Sequence, residues 1–189
     1  MNRPFSALRH RDFSLFVFGQ GVGILGYWIQ QLAVHWLMYR MTGSALLLGA
    51  TFFAAQIPVL LLGPIAGPLP DRVDRRRAFI VVQSLQLLQG LTMTVLAYSG
   101  AIAPWHLIAL AAFLGMTIPV ELPVRHAWLP DLLGNRADLP NAVAVTSLIG
   151  SAGRLVGPSV AGVMIGLFSE ASCFLLNTLS YLVVLATLF

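Results

Sequence analysis

The sequence contains no lysine and one cysteine, Cys173. The missing lysine excludes Schiff-base chemistry and a P-loop lysine. A single cysteine excludes an internal disulfide and any cysteine-rich metal site, and no other pattern asks for a metal or a cofactor. Charge is scarce as well: 10% of the 189 residues are charged, against about 25% in soluble domains. In its place the chain is 58% hydrophobic, with a mean hydropathy of +0.83. That composition describes an all-α integral membrane protein whose first partner is the lipid bilayer. The 11 basic residues are all arginine and give a net charge of +4. They are spread over alternate loops instead of one face, so they are not a nucleic-acid footprint.

A helix needs about 20 apolar residues to cross the hydrocarbon core. Six stretches reach or approach that length: Phe13–Tyr39, Ser44–Leu69, Ala78–Ser99, Trp105–Val124, Asn141–Leu167 and Ser172–Phe189. The first is preceded by Arg3, Arg9 and Arg11, but its apolar run is too long for a signal-peptide core and reads as a retained helix. Arg3, Arg9, Arg11, Arg72, Arg75, Arg76, Arg77, Arg125 and Arg136 fall on one side of the membrane, and Arg40 alone on the other. Arginine-rich short loops stay cytoplasmic, which places the N-terminus in the cytoplasm. Trp36, Tyr39 and Trp105 then lie at the outer interface and Trp128 near the inner one. The last stretch runs to Phe189 without a flanking polar residue, which reads as the end of a fragment of a longer coding sequence.

Charge is densest in the loop between the second and third stretches, Gly67-Pro-Leu-Pro-Asp71-Arg72-Val-Asp74-Arg75-Arg76-Arg77. Asp71 and Arg75 are four apart and can pair if the segment is helical. The loop resembles the signature Gly-x-x-x-Asp-Arg-x-Gly-Arg-Arg of the major facilitator superfamily, with Gly67, Asp71, Arg72, Arg75 and Arg76 matching and Asp74 replacing the second glycine. Two further segments carry the likeness. Pro123-Val-Arg125-His126-Ala-Trp-Leu-Pro130-Asp131, followed by Leu139-Pro140-Asn141-Ala, is similar to the end of helix four and the start of helix five in the drug- and siderophore-exporter (enterobactin-type) branch. Pro140 suits a helix start, and Asp131 can face one of the Arg72–Arg77 group. Gly153-Arg154-Leu-Val-Gly157-Pro158-Ser-Val-Ala161-Gly162 resembles the antiporter motif, with Ala161 in place of one glycine.

The resemblance implies a secondary transporter that works by alternating access and exports a small amphipathic molecule. The superfamily fold is two six-helix halves, each built from inverted three-helix repeats, so these residues correspond to the N-terminal half alone. It also implies a bacterial inner-membrane location, a gating role for the arginine loop, and a central cavity lined by helices one and four. The missing wall of that cavity would come from a C-terminal half or from a second copy of the chain. A non-transporting fragment is the rival reading. An intramembrane serine protease is a remote one, because Gly150-Ser151-Ala-Gly153 does not fit the required nucleophile context.

Candidate site residues follow from polarity inside the spans. Arg154 lies in the middle of the fifth stretch, where a charge costs about 2.5–3.5 kcal/mol on insertion scales and normally faces the bundle interior. Glu121 is the acid that the sequence offers it, and the one candidate for a proton-carrying carboxylate. Thr117, Glu121 and Arg125 share one helix face, so Glu121–Arg125 competes with Glu121–Arg154. In the first stretch Gln20, Tyr27, Gln31 and His35 recur at helical spacing as a polar stripe and are candidate substrate contacts.

Overall fold

The computed structural model describes residues 6–134 and 136–188; Arg3 and Phe189 lie outside the described residues. Six α-helices follow one another with short connections and no strand among the described residues: α1 (Arg11–Thr42), α2 (Ala45–Ala66), α3 (Arg75–Tyr98), α4 (Pro104–Trp128), α5 (Leu139–Leu167) and α6 (Glu170–Ala186). Single 3-10 turns punctuate the arginine loop at Leu69–Asp71 and the α4–α5 connection at Leu129–Leu132 and Arg136–Asp138. Helices α1 to α5 are long and apolar enough to cross a membrane. At 17 residues α6 is shorter, about 26 Å of helix.

Local chemistry sets the boundaries. α1 ends at Gly43, whose φ of 61° is left-handed and costs glycine nothing. Ser44 then caps α2 by accepting the Leu47 N–H at 3.3 Å. With two residues between them, α1 and α2 must run antiparallel. Asp74 caps α3, its Oδ1 accepting the Arg77 N–H at 2.7 Å. This gives a local reason for an aspartate where the superfamily signature has glycine. Pro104 opens α4 and Pro140 lies in the first turn of α5, where a missing N–H leaves no bond unmade.

α1 is the central column, packed on α5, α6 and α2, while α3 bridges α6 and α4 and α2 lies on α4. Close backbone approach is achieved with small residues. A side chain at Gly26 would meet Ser180 and Asn177 of α6, and one at Gly115 of α4 would enter the Ala55 carbonyl of α2. Two apolar clusters occupy opposite ends of the bundle. One joins Phe13, Phe16, Phe79, Val124 and Leu129, with Trp128 edge-on to Phe16 at 5.4 Å. The other joins Ile29, Leu37, Met38, Met93 and Phe174.

Beside the second cluster lies a buried polar network. Gln30 donates to Gln89 Oε1 (3.1 Å) and accepts from Asn177 Nδ2 (2.7 Å), which ties α1, α3 and α6 together. Thr94 and Thr178 meet at 3.0 Å beside them. All five side chains are buried, so each needs such a partner in a medium without water. The outer surface is the reverse. In α2 only Thr51 and Ala66 are buried, and Leu46, Leu60 and Ile65 are exposed, as suits contact with acyl chains.

Candidate functional site

Between α1, α3, α4, α5 and α6 lies a cavity of about 370 Å³, within the size range of small-molecule sites. Its floor is a chain of hydrogen bonds. Gln86 Nε2 of α3 donates to Glu121 Oε2 (2.8 Å) and to Thr117 Oγ1 (3.0 Å) of α4. Glu121 Oε1 lies 3.5 Å from Arg125 Nη1, which also donates to Gln20 Oε1 of α1 at 3.2 Å. Across the cavity the Arg154 guanidinium of α5 stands over the Trp28 ring, 5.3 Å from its centroid. Gln20, Tyr27, Glu121, Arg125 and Arg154 all line the same space.

Two expected contacts are redistributed. Glu121 pairs with Arg125 and Gln86, and no ion pair joins it to Arg154. The spacing of four within α4 holds Arg125 beside the carboxylate, while Arg154 is drawn onto an aromatic face. The α1 stripe also divides. Gln20 and Tyr27 reach the cavity, but Gln31 turns its amide to the Tyr27 hydroxyl (2.7 Å) and is not part of the lining. His35 Nδ1 donates to the Gln31 carbonyl (2.6 Å), leaving Nε2 buried without a hydrogen-bond partner among the described residues. The lining draws on α3, α5 and α6 as well as on α1 and α4. Gln83 and Gln86 of α3 were missed; with Gln89 they recur every third residue in an apolar helix, each buried, a stripe as legible as the one on α1.

In the fifth helix Gly153 and Gly157 press on α1, where added side chains would meet Ile24 and the Trp28 Cβ. Ala161 is fully buried on the same stripe, whereas Gly162 has open space around it. The packing set is therefore Gly153, Gly157 and Ala161, four residues apart each time, and Gly162 is not in it. α5 continues unbroken through Pro158.

At the arginine loop, Asp71 sits in a 3-10 turn that ends before α3 begins at Arg75. The helix needed for an Asp71–Arg75 pair is interrupted, and Arg75 Nη1 instead reaches Asp131 Oδ2 at 2.9 Å. Arg76 donates from Nε (3.2 Å) and Nη2 to the Leu188 carbonyl. Arg72, Asp71 and Gly67 are exposed. Nearby, His10 Nε2 and Asp138 Oδ2 lie 3.1 Å apart, joining the approach to α1 to the start of α5.

Glu121 is not the sole acid turned inward. Glu170, in the first turn of α6, has a side chain only 4% exposed and pairs with Arg40 Nη2 at 3.1 Å. Its nearness to a helix start favours the negative charge, and Arg40 is the one arginine at that end of the bundle.

The transmembrane secretion effector family model matches residues 2–189. Curated relatives include the staphyloferrin A transporter of Staphylococcus aureus, 32% identical over 84% of this chain and 40% of that protein. The multidrug efflux pump Tap of Mycolicibacterium fortuitum is 29% identical over 74% of the chain and 35% of the relative. Macrolide efflux protein A of Streptococcus pyogenes is 25% identical over 77% and 36%. The matched region thus spans about two fifths or less of these relatives. No solved structure matches. With six packed apolar helices, the arginine loop before α3 and a full-length family match, the chain belongs to the transmembrane secretion effector family of the major facilitator superfamily.

Proposed function

We propose that the chain forms the first six-helix half of an exporter, which moves a small amphipathic molecule outward by alternating access. The cavity carries this reading. A guanidinium, a hydrogen-bonded carboxylate and several amides meet in the middle of apolar helices, and such groups inside a membrane mark substrate or ion pathways. Arg154 and Ser151 remain exposed at that depth, so the cavity needs a second wall. A C-terminal half supplies it in the simplest account, consistent with the share of the relatives covered here. The arginine bias supports a cytoplasmic N-terminus, the bacterial inner membrane is what the family resemblance implies, and the outward direction follows the efflux relatives. The chemistry is transport, not catalysis.

Arg75–Asp131 is the clasp of this half, between the start of α3 and the turn after α4. Both side chains are at least one-third exposed, and exposed pairs contribute only about 0–1 kcal/mol to stability. Its role is therefore in the balance between transport states. The test is retention of a radiolabelled macrolide, and separately of a radiolabelled siderophore, by cells that produce this half joined to a C-terminal six-helix half. Producing cells retain less of at least one. Asp131→Asn restores retention to the level of non-producing cells while stability changes by no more than about 1 kcal/mol. Equal retention of both compounds with and without the joined protein would contradict the proposal.

A further inference from the structure

We infer that the cavity selects anions: its substrates carry a carboxylate or similar acid that seats on Arg154, beside an apolar or aromatic body lying along Trp28. This rests on the reading of the cavity as the substrate site and names the chemistry that the site takes. Three lining residues are charged, Glu121, Arg125 and Arg154. The carboxylate is already engaged, by Arg125 on one oxygen and Gln86 on the other. Arg125 in turn is shared between Glu121 and Gln20. The remaining polar lining, including Gln20, Gln86, Ser151 and Tyr27, is uncharged at neutral pH. One positive charge is left over, and it belongs to Arg154.

Arg154 has no ion pair or hydrogen bond among the described residues, and its guanidinium lies over the Trp28 ring. Without a hydrogen bond or ion pair, the N–H donors of the guanidinium are unspent. Those donors form a planar fork matched to two oxygens of one acid. A cation entering the same space would be repelled by that like charge. An anion neutralises the wall and meets its donors at once.

The experiment uses three compounds with one ring system and charges of −1, 0 and +1: 1-naphthoate, 1-naphthylmethanol and 1-naphthylmethylammonium. Binding is measured by equilibrium dialysis against the protein in nanodiscs, with empty nanodiscs subtracted. Naphthoate binds about tenfold more tightly than the alcohol, the margin of one charge-assisted hydrogen bond. The ammonium binds most weakly. Arg154→Gln erases the margin of naphthoate over the alcohol, and Arg154→Lys keeps part of it. If Arg154→Gln fails to fold, the lysine variant decides: a folded Arg154→Lys without any naphthoate margin overturns the assignment. Equal or tighter binding of the alcohol or the ammonium by the unmodified protein overturns anion selectivity while the cavity stands as a binding site. Saturable binding of none of the three removes the cavity reading and this inference together.

Discussion

Gly115→Leu abolishes most of the folded, monodisperse protein recovered in detergent, whereas Gly162→Leu leaves the yield unchanged. Both glycines lie in apolar helices, and composition does not separate them. At Gly115 an added Cβ would enter the Ala55 carbonyl of α2, a backbone group that no rotamer change can move aside. At Gly162 nothing lies within 4 Å. Overpacking a well-fitted core costs about 1–3 kcal/mol, and a clash with backbone at the α2–α4 crossing falls at or above the top of that range. Size-exclusion profiles and thermal unfolding of the two variants check this. Equal behaviour of the pair would show that α2 and α4 do not cross where described.

The second large effect concerns the α4 ion pair. Glu121→Gln lowers stability by about 1–3 kcal/mol, between the values for exposed and fully buried pairs. Arg125 is left with a side chain 19% exposed and without its counter-charge. Adding Arg125→Gln recovers much of the loss, because the stranded charge is removed. Glu121→Gln and Arg154→Gln act additively on stability, since no direct contact joins them. Thermal unfolding of these single and double variants forms two mutant cycles. Strong coupling of Glu121 to Arg154, or none to Arg125, would contradict the geometry described.

The sequence exposed the architecture more fully than the site. Alternating apolar stretches and one-sided arginine charge made an all-helical membrane fold legible, because lipid leaves the backbone no other economy of hydrogen bonds here. Small residues in α5 announced a close helix crossing. Their spacing did not say which of Ala161 and Gly162 faces α1, because adjacent residues differ by about 100° around the axis and only the neighbouring helix settles the face. The Glu121–Arg154 contact had the same limit: two charges in different helices carry no record of their relative depth. Glu170 was hidden for another reason. It lies at the edge of an apolar stretch, where an acid usually sits in water, and its burial depends on the fold bringing Arg40 over it. The glutamines of α3 were readable as a stripe, yet glutamine at helical spacing fits an interhelical bond as well as a cavity wall. Gln89 does the first and Gln86 does both.

The central claim is that an open cavity lined by Arg154, Glu121 and Gln86 lies in the middle of this helical bundle. Its most direct test exploits the single, fully buried cysteine, Cys173. In a Cys173→Ala background, Ser151→Cys in the cavity wall and Leu60→Cys on the outer surface of α2 are exposed to a charged methanethiosulfonate reagent. Thiols react as thiolates, which form in water and not in hydrocarbon. The account predicts rapid modification of Ser151→Cys and little or none of Leu60→Cys in membranes. A Ser151→Cys variant as unreactive as Leu60→Cys would place that face of α5 in lipid and contradict the cavity.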